Sequence, residues 1–112
     1  MDALSAATTL KALDGLSLRA EAAARNIANA QTPNYRAVRV SFEAALTAAA
    51  AKGSGAVDAV QPRVVPALDG LAGEVRLDQE MATATSTALR YGALIDILSR
   101  RLQLHSLVSG GR

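Results

Sequence analysis

Residues 24–36, Ala-Arg-Asn-Ile-Ala-Asn-Ala-Gln-Thr-Pro-Asn-Tyr-Arg, constrain this chain more than any other stretch. They fall where a long alanine-rich helical pattern ends, and they hold the first proline and the first tyrosine of the sequence. The Pro33 ring disfavours α geometry at Thr32, so the first helix must end by about Ala30 or Gln31. Thr32-Pro33-Asn34-Tyr35 then reads as a tight turn. Pro33 presets φ at its second position, and Asn34 can take the positive φ that a type II turn needs at its third. Beyond the turn, the chain reads as a return path toward a second helical pattern at the C-terminus.

Before the turn, Asp2 or Ser5 can cap the helix by offering a side-chain oxygen to the orphan amides one turn on. Leu10, Leu13, Leu16, Ala20, Ala24 and Ile27 recur at steps of three and four, while Lys11, Asp14, Glu21 and Arg25 fall opposite. Leu4 and Leu18 project on the polar side with Asn29, either as ordinary exposed leucines or as a second contact surface. Isolated helices are marginal in water, so this one needs partners along its length.

The C-terminal pattern opens at Asp78, a good N-cap, with Glu80 in the first turn where the helix dipole favours it. Leu77, Met81, Ala84, Ala88, Tyr91, Ile95, Leu98 and Leu102 alternate at four and three, the spacing of a coiled-coil seam. Leu94, Ile97, Leu104 and Val108 lie well round the helix from that seam. From Leu94 onward the helix is apolar on most sides, more than a chain this short can cover by itself. Gly110-Gly111 ends it.

Between the two patterns, residues 36–42 suit a short extended piece. Ser41–Lys52 reads as a helix capped by Ser41 with Glu43 in its first turn, ended by Gly53-Ser54-Gly55. Residues 53–74 read as a loop or a small hairpin. Val64-Val65 could be a short strand, but Pro62 and Pro66 on either side argue against a central one.

With 112 residues the chain has the size of one domain. Half of it is apolar but only 3% is aromatic, which suits helices packed closely rather than a thick core. The net charge is +2, and neither half is a basic block. Basic residues are not interleaved with aromatics, which argues against a nucleic-acid surface. Acids and bases mix around the helical stripes, which argues against a membrane-surface helix.

There is no cysteine, so disulfides, iron–sulfur clusters and thiol nucleophiles are excluded. No basic segment followed by an apolar run marks a signal peptide, and no run of about 18 apolar residues spans a bilayer. Read alone, these features place the chain in the cytoplasm. The lone His105 makes no metal site, Asp78 and Glu80 point in different directions, and the glycines from Gly53 onward form no phosphate-binding pattern. The expectation is therefore no catalytic residue, no cofactor and no metal. The chain reads as an interaction protein and not an enzyme.

Asn26-Ile27-Ala28-Asn29-Ala30-Gln31-Thr32-Pro33-Asn34-Tyr35 resembles the N-terminal signature of flagellar rod and hook axial proteins, of the form ANNxANxxTPGY. Arg36 to Leu46, with Val40, Phe42, Glu43 and Leu46, resembles the continuation in the proximal rod subunits. Val75-Arg76-Leu77-Asp78-Gln79-Glu80-Met81-Ala82 is similar to their lead-in to the C-terminal helix, and Leu89-Arg90-Tyr91 to the L-x-Y within it. The resemblance covers about 1–46 and 74–110. Asn34 replaces the family's glycine and Arg76 its acidic residue.

The resemblance implies a structural subunit of the proximal rod of the bacterial flagellar basal body, part of a helical shaft that transmits torque. It implies type III export without a cleaved signal peptide and residence in the periplasmic rod, which reverses the cytoplasmic reading. Implied partners are copies of itself, further rod subunits, the adaptor FliE, and the MS ring or export gate. The fold expected is mainly α: one axial-protein domain, with long terminal helices (1–31 and 78–109) paired as an antiparallel coiled-coil hairpin. Residues 32–77 would form a turn, a short helix and an irregular loop with at most a short hairpin.

Within the subunit, Leu10, Leu13, Leu16 and Ile27 would pair with Met81, Tyr91, Ile95, Leu98 and Leu102. Leu4, Leu18, Leu94, Ile97, Leu104 and Val108 would face neighbours. Asn26 and Asn29 would bond backbone or a neighbouring subunit near the helix exit, with C-capping as the other role open to Asn29. The competing reading is a self-contained cytoplasmic helical adaptor or chaperone-like hairpin.

Overall fold

The computed structural model describes residues 1–67, 74–108 and 110. It is mainly helical, with two long helices that contact each other and a small two-stranded sheet. The elements are α1 (Ala3–Ala28), β1 (Val38–Ser41), α2 (Glu43–Ala50), α3 (Ser54–Asp58), β2 (Arg63–Pro66) and α4 (Leu77–Val108). The radius of gyration is 17.0 Å and the extents are 59 × 27 × 15 Å. A compact chain of about this length has a radius near 13 Å, so this molecule is a thin, elongated slab.

Helix α1 starts where a side-chain acceptor is available. Asp2 Oδ1 accepts the Ser5 amide at 2.7 Å, and this bond holds the Asp2 carboxyl below its usual range. The inner face of α1 is built largely from small residues: Leu13, Gly15, Leu16, Ala22, Ala23 and Asn26 are buried. It shares Leu13 and Leu16 with the large-aliphatic stripe of the sequence but extends round the helix to Gly15, Ala22 and Asn26, where small side chains let a second layer approach closely. The layer is a head formed by β1, β2, α2 and α3. Its core comprises Leu16, Ala22, Val40, Phe42, Leu46, Ala49, Val57 and Val60, and α4 contributes none of these.

Several local expectations are corrected. Ser41 closes β1 and does not cap α2; Phe42 occupies the N-cap without a side-chain bond, its ring being buried. Asp78 lies inside the first turn of α4, which begins at Leu77. Gly53-Ser54-Gly55 leads into the short helix α3 instead of a loop. Of the expected loop, residues 68–73 lie outside the described residues, as do Ser109 and Gly111 at the expected end of α4.

The two strands are not a hairpin. They pair antiparallel across α2 and α3, with Val38 opposite Pro66 and Val40 opposite Val64. Pro66 is tolerated because both backbone polar groups of Val38 bond the Asn26 side chain, on the side away from β2. The proline therefore forfeits no ladder bond at this position.

Close packing at Gly15 yields a direct expectation. A Cβ there would lie 2.5–2.6 Å from three atoms of the Phe42 ring. Gly15→Ala should lower stability by about 1–3 kcal/mol through overpacking, less the ~1 kcal/mol that alanine returns in helix propensity. Gly92→Ala, with nothing within 4 Å, should gain roughly 0.5–1 kcal/mol. Urea unfolding midpoints at unchanged slope measure both.

Candidate functional site

The helix exit is a closed hydrogen-bond circuit. Asn29 ends α1, with its Nδ2 donating to Arg25 O at 2.9 Å and its Oδ1 accepting from the Thr32 hydroxyl at 3.1 Å. The Tyr35 amide donates to Thr32 O at 3.2 Å, and Asn34 sits at φ 64, the positive φ expected of it. Asn29 thus acts within its own chain as a cap.

Asn26 is the centre of this circuit and is fully buried. Its Nδ2 donates to Val38 O at 2.8 Å, while its Oδ1 accepts from the Val38 amide at 3.0 Å and from the Tyr35 hydroxyl at 2.9 Å. One primary amide thereby imitates a neighbouring strand for β1 and also anchors the turn. Only asparagine, short and carrying a donor and an acceptor, does both from a helix at this distance.

Two arginines extend the circuit. Arg39 donates to Val38 O at 3.1 Å and to Glu80 Oε1 on α4. Glu80 is 1% exposed, and its second oxygen is buried without a partner. Arg19 makes a two-pronged bond to Glu43, at 2.5 and 2.7 Å, donates to Val40 O at 2.8 Å, and stacks 4.9 Å over the Phe42 ring. The Arg19 bond holds the Glu43 carboxyl below its ordinary value of 4.5. Neither pair follows from apolar periodicity.

Helix α4 is open where a helix of a finished domain is covered. Among its described residues only Glu80 and Thr87 are buried, and both are polar. Leu16 and Ala20 of α1 share a cavity of about 350 Å³ with Thr87, Ala88, Tyr91 and Gly92. Met1 and Ala6 share one of about 210 Å³ with Leu98, Leu102 and His105. Of the residues expected to pair the two helices, Leu13 and Leu16 are buried, and Ile27 and Leu98 are half-buried. Leu10, Met81 and Leu102 are 54%, 60% and 60% exposed, and Tyr91 and Ile95 are each 39% exposed.

Those expected to face neighbours divide differently as well. Leu18 and Leu94 pack against the head core, which corrects their assignment as outward residues. Leu18 does so because α1 is sandwiched between two layers, and Leu94 because α4 turns the Glu80–Thr87–Leu94 row inward. Leu4, Ile97, Leu104 and Val108 are exposed. Among the family-motif residues, Ala28, Thr32, Pro33 and Asn34 are exposed and Asn26 and Tyr35 turn inward.

Among the described residues no helix is long and apolar enough to cross a membrane, and no cluster of three or more His, Cys, Asp or Glu could hold a metal. No protein-family model matches the sequence, and no curated protein matches it.

Two outcomes test the circuit. Asn26→Ala leaves the Val38 amide and the Tyr35 hydroxyl without their acceptor, and should cost about 2–4 kcal/mol in urea unfolding, with Tyr35→Phe costing about 0.5–1.5. For Glu43, a carboxyl depressed in the folded state contributes stability above its unfolded value and loses it as pH falls through the folded one. The stability difference between the parent and Glu43→Gln should therefore be full near neutrality and vanish in acid, well below 4.5. A pH series of melting curves reads it.

Proposed function

We propose that this chain is a structural subunit of a self-assembling axial filament, in which the long terminal helices run antiparallel as a coiled-coil-like pair. More particularly, we propose a proximal rod subunit of the flagellar basal body, of the FlgB type. FlgC and further rod proteins, copies of itself, FliE, and the MS ring or export gate would be its partners. It would reach the periplasmic rod uncleaved through the type III export route.

One observation carries the reading: a 32-residue α4 that buries no apolar side chain fully, so that its apolar area is left for other chains. Leu89, Leu102, Leu104, Leu107 and Val108 are 57–85% exposed. Monomeric proteins rarely leave so long an apolar surface bare, whereas a subunit with heterologous, repeating contacts needs it. The motif resemblance supports the same reading, because Asn26, Asn29, Thr32, Asn34 and Tyr35 are each engaged in one turn geometry. The side-chain bonds described for Asn26, Arg19 and Arg39 join one element to another, as a structural role requires.

The alternative, a self-contained helical adaptor, is favoured by one feature, the head core that is complete without α4. Leu102→Asp separates the two. It changes a residue 60% exposed, so the monomer should keep its helicity and its stability within about 0.5 kcal/mol. In cells it should still be exported but fail to enter the rod, and swimming should stop. Normal swimming by that variant would contradict the rod reading.

A further inference from the structure

The most apolar side of α4 is not the side it turns inward. Its seam runs through Met81, Ala84, Ala88, Tyr91, Ile95, Leu98 and Leu102. The inward row is Glu80, Thr87 and Leu94, spaced seven apart, of which the first two are fully buried. At 100° per residue the centre of the seam lies roughly 60° round the helix from that row. A helix oriented by hydrophobic burial alone would rotate by about that angle, bringing Tyr91 and Ile95 inward and returning Glu80 and Thr87 to water.

The head supplies what opposes this rotation. Arg39 reaches from β1 to Glu80 Oε1, and is itself braced on Val38 O, which Asn26 fixes. The main packing of α4 is along α1, and on the head side only Leu94 among its described apolar residues packs against the core. Thr87 offers a methyl and a hydroxyl, and Met81 and Ile95 remain 60% and 39% exposed beside it.

We propose that the Arg39–Glu80 ion pair sets the rotation of α4 about its own axis and holds the apolar seam half-open. Both are positioning residues: they act through the orientation they impose on Met81, Ile95 and Leu102. Stability is a poor explanation for the pair, because a buried ion pair often breaks even against an apolar pair of similar volume, while fixing orientation is a use such pairs serve well. Glu80 Oε2, buried and unpartnered, is a cost that an orientation device tolerates and an optimised core does not. The inference does not rest on the rod reading, for it concerns the monomer.

The chain has no cysteine, so single thiols report rotation cleanly. Ile95→Cys should react with a maleimide readily in the parent background. In an Arg39→Ala/Glu80→Ala background, which removes the pair without adding a large apolar side chain to the inward row, at concentrations where sedimentation shows a monomer, its rate should fall by about 10-fold as the seam turns inward. A Leu89→Cys thiol, 70% exposed and far from the seam, should react equally in both. Glu80→Gln, which keeps volume and one hydrogen bond, should slow Ile95→Cys by about 3-fold and reads the same effect if the double variant loses its helicity. An unchanged Ile95→Cys rate in a helical variant overturns the proposal, as does a parent thiol already protected in the monomer.

Discussion

The structure depends on one primary amide. Asn26 sits at the last turn of α1, fully buried, and satisfies both backbone groups of Val38 together with the Tyr35 hydroxyl. Burying an amide in an apolar interior is costly unless its donor and acceptors are engaged, and here they are. The consequence runs outward by contact. Val38 held on its Asn26 side leaves the rest of β1 to face β2, which lets proline stand opposite it. Val38 O then braces Arg39, and Arg39 takes hold of α4. A single helix-terminal residue thereby anchors the turn and β1 and is linked, through Val38 and Arg39, to one ion pair on the second long helix.

The two sides of α1 meet different kinds of neighbour. Toward the head, Gly15 admits the Phe42 ring at close range and Ala22 joins the head core, and Arg19 clamps α2 through Glu43 while covering the same ring. This side is finished. Toward α4 the contact is shallow, with grooves lined by Leu16, Ser17 and Ala20 against Thr87, Ala88 and Tyr91. That side is unfinished, and a second partner layer is what its exposed leucines and isoleucines require. Under the proposed reading of an assembling subunit, this division would let the head stay the same object while the helical face is committed on contact with other chains.

Much of the architecture was legible in the residues. Pro33 and Asn34 marked the helix exit and how the chain turns, because their backbone preferences act locally, although α1 stops at Ala28, short of the expected 30 or 31, where Asn29 caps it. The two long helices were evident from their apolar repeats. The direction in which each helix looks was not. Periodicity weights large aliphatics, whereas the buried residues of α1 join Leu13 and Leu16 of the stripe to Gly15, Ala22, Ala23 and Asn26 outside it, and the inward row of α4 is a glutamate, a threonine and Leu94. Val64-Val65 could be read as a short, non-central strand, but its pairing with β1 across α2 and α3 could not, nor that Pro66 stands opposite a Val38 occupied by Asn26. These features depend on pairings across 12 to 41 residues, which no local pattern encodes.

Residue-resolved amide exchange on the dilute monomer tests the central claim most directly, that the Asn26 junction and the head form a finished unit beside an uncovered α4. The expected result is that the Val38 amide, bonded to the Asn26 side chain, exchanges as slowly as the core amides of α1, while α4 beyond Leu98 exchanges orders of magnitude faster. Equal protection of the second half of α4 and the head in a monomer, or a Val38 amide exchanging at the rate of the exposed turn, would contradict it.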